Sequence, residues 1–126
     1  MRIIIFTIII TLLVFTISFK SVSFLEKTSV NMISPLKNVE ENIKRENWEK
    51  AEENLWIFEE KWKGNKLIWA LLIDHSEIDN IELSIVHIKS YITSRDLTEA
   101  KKEIAGLYLY LRHIPETEKL NLKNIF

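Results

Sequence analysis

The stretch IIIFTIIITLLVFTISF, residues 3–19, contains no charged side chain and lies between Arg2 and Lys20. A helix of this length spans roughly 25 Å, slightly less than the roughly 30 Å of a bilayer core. Apolar residues continue to Leu25, so a longer helix crosses the membrane if Lys20 extends its ammonium group to the headgroups. A buried helix of a soluble protein is a poor alternative, because the stretch has no polar face. The sequence therefore predicts a transmembrane anchor over residues 1–25.

The same segment is also compatible with a cleaved signal peptide. Ser21 and Ser23 are small enough for cleavage before Phe24, which would give a secreted protein. However, the apolar run is longer than the usual core of about 7–15 residues in a signal peptide, and Lys20 interrupts the approach to the cleavage site. We favour the uncleaved anchor and keep the secreted form as the alternative.

The basic N-terminal end sets the expected orientation. Arg2 and the α-amino group form a short overhang that is readily kept in the cytoplasm, although Lys20 and Lys27 lie on the other side. We therefore expect a single-pass protein of the cell membrane, with a cytoplasmic N-terminus and an extracytoplasmic C-terminal domain.

Composition excludes several classes of protein. The formal net charge is −1 and no segment forms a basic face, which argues against nucleic-acid binding. The chain has no cysteine, so neither disulfides nor thiol chemistry contribute. Only two glycines and two prolines are present, which indicates few turns and long helical segments. The sequence predicts an all-α protein.

Helix signals divide the remainder of the chain. Residues 26–34 are polar and are expected to be a linker, and residues 35–126 a helical domain. Ser34 as the N-cap and Pro35 as the first helical residue predict the start of that domain. A break near Asn47 stays open at this point.

The second half of that helical region ends in an unusually apolar segment. Gly64 and Asn65, just before this segment, form the strongest helix-breaking signal between residues 35 and 73. Residues 67–73 are apolar on nearly all sides, which predicts that they are buried on more than one face or that the segment kinks inward.

A further helix begins within residues 74–79. Either Ser76 with Asp79 or Asp74 with Glu77 has the spacing of a capping box. Its apolar residues recur at helical spacing: Ile78, Ile81, Ile85, Ile88 and Ile92.

The last helix has an equally clear pattern. Asp96 is expected to cap it, with Glu99 three residues later, and Pro115 is expected to end it. Its apolar stripe consists of Leu97, Ala100, Ile104, Leu107, Leu111 and Ile114.

A faint internal repeat relates residues 47–51 to residues 96–100. Both segments contain a capping residue, a large apolar residue, two polar residues and alanine. Two helical hairpins in tandem explain the repeat, and so does a compact bundle. We prefer the bundle, an antiparallel arrangement of three or four helices after the anchor.

One helix face has side chains that bind metals elsewhere. His75, Asp79 and Glu82 are spaced i, i+4, i+7, and such groups ligate divalent ions. Acidic residues are favoured at a helix N-terminus in any case, and no second histidine is close by. We expect no metal and no cofactor here. We also expect no catalytic residues and no enzyme activity, because no known catalytic motif is present.

Two surfaces are candidates for partner binding. Residues 104–111 are apolar nearly all round, which is typical either of a partner-binding face or of a central helix with several neighbours. Trp56 lies one step off the apolar stripe of its helix, whereas Trp48, Trp62 and Trp69 follow the stripe and are expected in the core. The partner-binding candidates are Trp56, Leu107, Tyr108 and Tyr110.

Several motifs together resemble a known family. After the apolar segment come Trp48 with Ala51 in a Trp-x-x-Ala motif, Trp62, the sequence His-Ser-Glu-Ile-Asp at residues 75–79, and Asn-Ile-Phe at residues 124–126. This layout resembles the bacterial domain-of-unknown-function family numbered four-three-six-three, found mainly in spore-forming low-GC Gram-positive bacteria. The resemblance covers essentially the whole chain. It implies a membrane-anchored helical protein and, from the neighbourhood of the family's genes, a membrane-protein partner, but no activity.

The expected function follows from the anchor and the absence of catalytic motifs. We expect a membrane-anchored, extracytoplasmic helical protein that acts as a protein–protein interaction or accessory module. The alternative is a sensor module that binds a small ligand or a divalent metal at the face of His75, Asp79 and Glu82.

Overall fold

A computed structural model describes residues 1–125, which form four α-helices and no strand. The predicted all-α class is therefore confirmed for this part of the chain. Phe126, the last residue of the expected domain and of the Asn-Ile-Phe motif, lies outside the described residues. The helices are α1 (Arg2–Lys44), α2 (Trp48–Leu72), α3 (His75–Thr93) and α4 (Leu97–Ile125).

The four helices pack in a closed ring. Short connections join consecutive helices, so neighbours in sequence run antiparallel. α1 packs on α2 and α4, and α3 packs on the same two helices from the opposite side. The core begins at Leu25 of α1, and residues 2–24 of that helix include no buried residue. The Ile78–Ile92 stripe of α3 and the Ala100–Ile114 stripe of α4 are buried as predicted.

The first helix continues without interruption through the segment that was expected to be a linker. The predicted helix start at Ser34 and Pro35 is wrong, because Pro35 lies inside α1. Residues 26–34 are helical and share in the core, since Ser29 and Met32 are buried. Pro35 has no N–H to offer the carbonyl of Asn31, and the ammonium group of Lys61 on α2 donates to that carbonyl at 3.2 Å. A donor from another helix thus compensates for the proline.

The last helix also contains a proline that was expected to end it. This prediction is wrong, because α4 extends past Pro115 to Ile125 and Pro115 itself is buried. The missing N–H of Pro115 leaves the carbonyl of Leu111 without its partner within the helix. The hydroxyl of Ser29 on α1 donates a hydrogen bond to that carbonyl. The residues after Pro115 therefore continue as helix beside α1.

The question left open near Asn47 is answered by a break between α1 and α2. Asn47 is the N-cap of α2, and its side chain accepts a hydrogen bond from the N–H of Lys50 at 3.3 Å. Gly64 and Asn65 do not break α2, which runs through both. The prediction that residues 67–73 are buried on more than one face is also wrong, because Leu67 and Leu71 are exposed.

The internal repeat corresponds to two turns of the same conformation. Glu46 and Arg95 both have a positive φ, 58° and 56°, at the ends of α1 and α3. In each turn the next residue caps the following helix, and the carboxylate of Asp96 accepts from the N–H of Glu99 at 3.2 Å, as predicted. Before α3, the cap is Asp74 rather than Ser76, although its side chain makes no capping hydrogen bond.

Candidate functional site

The face proposed for metal binding lies in a surface groove between α2 and α3. His75, Asp79 and Glu82 all line this groove, as their spacing predicts. Lys66 of α2 lines it too, and its ammonium group forms an ion pair with the carboxylate of Glu82. A cation from the protein therefore already occupies one of the three candidate ligands. Among residues 1–125, no three His, Cys, Asp or Glu side chains are grouped so that they could hold a metal ion.

The apolar segment of α4 is a central helix rather than a free surface. Ile104, Leu107 and Leu111 are completely buried, and α4 packs on both α1 and α3. Leu107, which the sequence suggested as a partner-binding residue, is therefore a core residue that a partner cannot reach. Two neighbouring helices cover different sides of the segment, although Leu109 within it is 60% exposed.

The two tyrosines of that segment lie at the edge of the core. Tyr108 and Tyr110 are half-buried and pack against it. The hydroxyl of Tyr108 is inaccessible to solvent and has no hydrogen-bond partner among the described residues. Burial raises the pKa of Tyr108, and the nearby carboxylates of Glu40 and Glu41 raise it further. Tyr108 is thus a neutral packing residue whose hydroxyl is poorly satisfied.

The tryptophans divide between core and surface. Trp62 and Trp69 are buried, as predicted, and their rings meet edge to face with centroids 5.7 Å apart. The indole N–H of Trp69 donates to the hydroxyl of Thr28 at 2.8 Å, which joins α2 to α1. Trp48 is half-buried, whereas Trp56 is 61% exposed.

A surface patch of α2 surrounds the exposed tryptophan. We call Trp56 and Ile57 with the carboxylates of Glu49, Glu52 and Glu53 the Trp56 patch; these five residues line one shallow depression. A large exposed aromatic residue with an aliphatic neighbour is the kind of group that anchors protein interfaces. The acidic rim favours a partner with basic groups around an apolar centre.

A polar cluster between α3 and α4 was not anticipated from the sequence. The carboxylate of Glu103 accepts from the buried hydroxyl of Ser84 at 3.0 Å and lies 3.2 Å from Nδ1 of His87. Ser84 and His87 are three residues apart on α3, so the sequence alone indicates that they share a face. The contact with Glu103 could not be predicted in this way, because Glu103 lies on α4. The Ser84 hydroxyl donates to the carboxylate and not to the histidine, unlike the serine–histidine pair of a catalytic triad. This cluster joins two helices and lacks the arrangement of a catalytic triad.

The N-terminal half of α1 is the remaining distinctive surface. Its most apolar 18 residues have a mean hydropathy of 2.5, and none of them is buried against the rest of the protein. By length and composition, α1 is the one helix within residues 1–125 that is suited to crossing a membrane.

Comparison with known proteins identifies a family. The model of the family described as Domain of unknown function (DUF4363) matches residues 19–125. The match includes the packed helices and leaves most of the apolar stretch outside, so it is shorter than the motif resemblance over the whole chain. No curated protein and no solved structure matches the chain.

Proposed function

The chain belongs to the DUF4363 family, and we propose that it is a single-pass membrane protein whose extracytoplasmic helical domain acts as an interaction or accessory module. The observation that carries this proposal is the uncovered apolar half of α1. Exposure of many large aliphatic side chains to water is unfavourable by about 25 cal/mol per Å² of apolar surface. A bilayer provides the cover that the protein itself does not supply.

The continuity of α1 supports a role in docking. The helix proposed to cross the membrane enters the core directly at Leu25, without a flexible linker. The domain is therefore held in one orientation relative to the apolar half of α1. A fixed orientation lowers the entropic cost of binding another membrane-bound protein, because fewer rotational states are lost.

The Trp56 patch is the surface that we assign to the partner. It lies on α2, away from the ring's interior, and the exposed side chain of Trp56 is accessible without any rearrangement. The other partner-binding candidates are less accessible, since Leu107 is buried and both Tyr108 and Tyr110 pack against the core.

Membrane insertion and orientation are tested with single cysteines in the naturally cysteine-free chain. Lys63→Cys and Lys101→Cys place a thiol on exposed positions of the domain, and Ile10→Cys places one in the apolar segment. In intact cells, an impermeant thiol reagent is expected to label positions 63 and 101 and not position 10. Resistance of both domain positions until the cells are lysed would contradict the extracytoplasmic orientation. Release of the protein from membranes by alkaline carbonate would contradict the anchor.

The interaction role is tested by isolating the tagged full-length protein from native membranes in mild detergent. We expect a stoichiometric membrane protein to co-purify and to be lost in Trp56→Glu. Leu109→Glu is the matched control, because Leu109 is a similarly exposed apolar residue on a different helix. A protein that purifies alone, or a complex that both variants retain, would contradict the assignment.

A further inference from the structure

The end of α4 runs beside the apolar segment of α1. α4 is antiparallel to α1, and Nζ of Lys119 lies 3.4 Å from the carboxylate of Glu26. Beyond that ion pair, the two helices share a groove of about 220 Å³. Its lining includes Ile17, Ser18 and Ser21 of α1 and Asn121, Leu122 and Ile125 of α4. The last turn of α4 therefore reaches the level of Lys20 and lies beside the C-terminal part of the apolar segment.

The depth of this end follows from the rise of the helix. From Lys119 to Ile125 an α-helix advances about 9 Å. α1 advances by the same distance between Glu26 and Lys20, so the last turn of α4 lies at about the level of Lys20. If α1 spans the bilayer, Lys20 marks the headgroup layer and the last turn of α4 lies within that layer. This turn also carries polar side chains, which need water or polar headgroups. The α4 end is therefore suited to the interface and not to the hydrocarbon core.

The side chains of the α4 end match such an interface. Leu120 is 59% exposed and Ile125 is 75% exposed, whereas four other large aliphatic residues of α4 are buried in the core. Lys119 and Lys123 border a second groove together with Phe19 of α1. Lysines next to exposed aliphatic residues are typical of helices that contact anionic phospholipid headgroups.

We infer that residues 119–125 are a second membrane contact, which binds the headgroup layer of an anionic phospholipid bilayer. The inference depends on the proposed membrane insertion of α1. A bilayer is favoured over a protein occupant because the exposed aliphatic residues are continuous with the apolar segment of α1. This contact would hold α1 and α4 to the membrane together and restrict tilting of the domain.

The depth of the α4 end is measured with an environment-sensitive fluorophore on single cysteines. The full-length variants Ile125→Cys, Leu109→Cys and Ile10→Cys are reconstituted into vesicles of phosphatidylcholine and phosphatidylglycerol that contain spin-labelled lipid. Leu109 is the matched control, because it is an exposed aliphatic residue on the same helix but far from the apolar segment. We expect a blue shift and quenching at positions 125 and 10, with a shallow quencher more effective at position 125. Position 109 should remain unquenched.

The outcomes separate the two proposals. Quenching at position 10 together with solvent-like emission at position 125 would overturn this inference and leave the membrane anchor standing. Absence of quenching at position 10 would overturn both. A blue shift at position 125 without lipid quenching would indicate that protein covers this end, and would also overturn the inference.

The contribution of charge is tested by varying the anionic lipid. Quenching at position 125 should increase when phosphatidylglycerol is added to phosphatidylcholine. Lys123→Gln should remove most of this increase, whereas Lys101→Gln, at an exposed lysine near the other end of α4, should not. An equal response in both variants would contradict recognition of anionic headgroups.

Discussion

The hydroxyl of Ser29 donates a hydrogen bond to the backbone carbonyl of Leu111, and this bond joins α1 to α4. Pro115 cannot provide the N–H that a helix would normally direct at that carbonyl. Ser29 is buried and close to the point where the core begins. Because this carbonyl is satisfied from outside its own helix, α4 can continue beyond the proline and reach the apolar segment of α1.

Removal of the Ser29 hydroxyl is expected to destabilise the protein. In Ser29→Ala the buried carbonyl of Leu111 loses its partner, and such a loss costs about 1–3 kcal/mol. Ser90→Ala, at an exposed serine on α3, is the control and should change the free energy of unfolding by less than about 0.5 kcal/mol. Chemical denaturation of the full-length variants in detergent measures both values. Equal stability of the two variants would show that the carbonyl of Leu111 finds another donor.

The cost of Ser29→Ala is expected to depend on Pro115. In Pro115→Ala the new N–H can bond to the carbonyl of Leu111 within α4, so the Ser29 hydroxyl is no longer its only donor. A double-mutant cycle should therefore give a smaller loss of stability for Ser29→Ala in the Pro115→Ala background, with a coupling of about 0.5–3 kcal/mol. Strictly additive effects would contradict the assigned role of the hydroxyl.

Tyr108 is expected to tolerate the loss of its hydroxyl but not a charge. Tyr108→Phe removes a buried hydroxyl without a partner, so the free energy of unfolding should stay the same or rise by about 1 kcal/mol. Tyr108→Glu places a carboxylate at the edge of the core near Glu40 and Glu41 and should unfold or strongly destabilise the domain. Near-ultraviolet circular dichroism distinguishes the two. A fully folded Tyr108→Glu variant would show that Tyr108 belongs to a free surface.

Ionisation of Tyr108 is expected to lower the free energy of unfolding in alkaline solution. Burial and the nearby carboxylates raise the pKa of Tyr108 in the folded protein above the usual value of about 10. The unfolded chain then releases the phenolic proton at lower pH than the folded protein. The contribution of protonated Tyr108 to the free energy of unfolding is therefore fully present below about pH 10 and is lost as the pH rises above that value. Comparison of unfolding curves on either side of that pH should show a steeper loss in the wild type than in Tyr108→Phe. Parallel losses would show that Tyr108 ionises alike in both states.

Local patterns predicted those features that nearby residues alone determine. The isoleucine stripe of α3 is buried as its spacing required, and the carboxylate of Asp96 bonds to an N–H only three residues away. The long apolar run likewise identified the segment of α1 in which no residue is buried against the other described helices. In each case the interaction depends on a single helix and its periodicity.

The candidate sites depended on contacts that the sequence does not reveal. Leu107 and Tyr108 belong to a segment that is apolar on several sides, and only the packing of α1 and α3 on it shows that Leu107 is core. Glu82 shares a face with His75 and Asp79 as predicted, but its ion pair with Lys66 comes from another helix. Whether a helix face is exposed or buried depends on which other helices pack against it. The same sequence pattern is therefore compatible with a surface and with the core.

The amino-acid sequence by itself determined the all-α class, the apolar stripes and the segment suited to a membrane. Only the tertiary structure decided that α1 continues through Pro35 and that α4 continues through Pro115. A proline leaves the carbonyl four residues before it without its usual donor within the helix, and a donor from another helix favours continuation of the helix. Here Lys61 and Ser29 supply those donors from positions distant in sequence. Helix length at these positions is therefore a property of the packed protein and not of the local sequence.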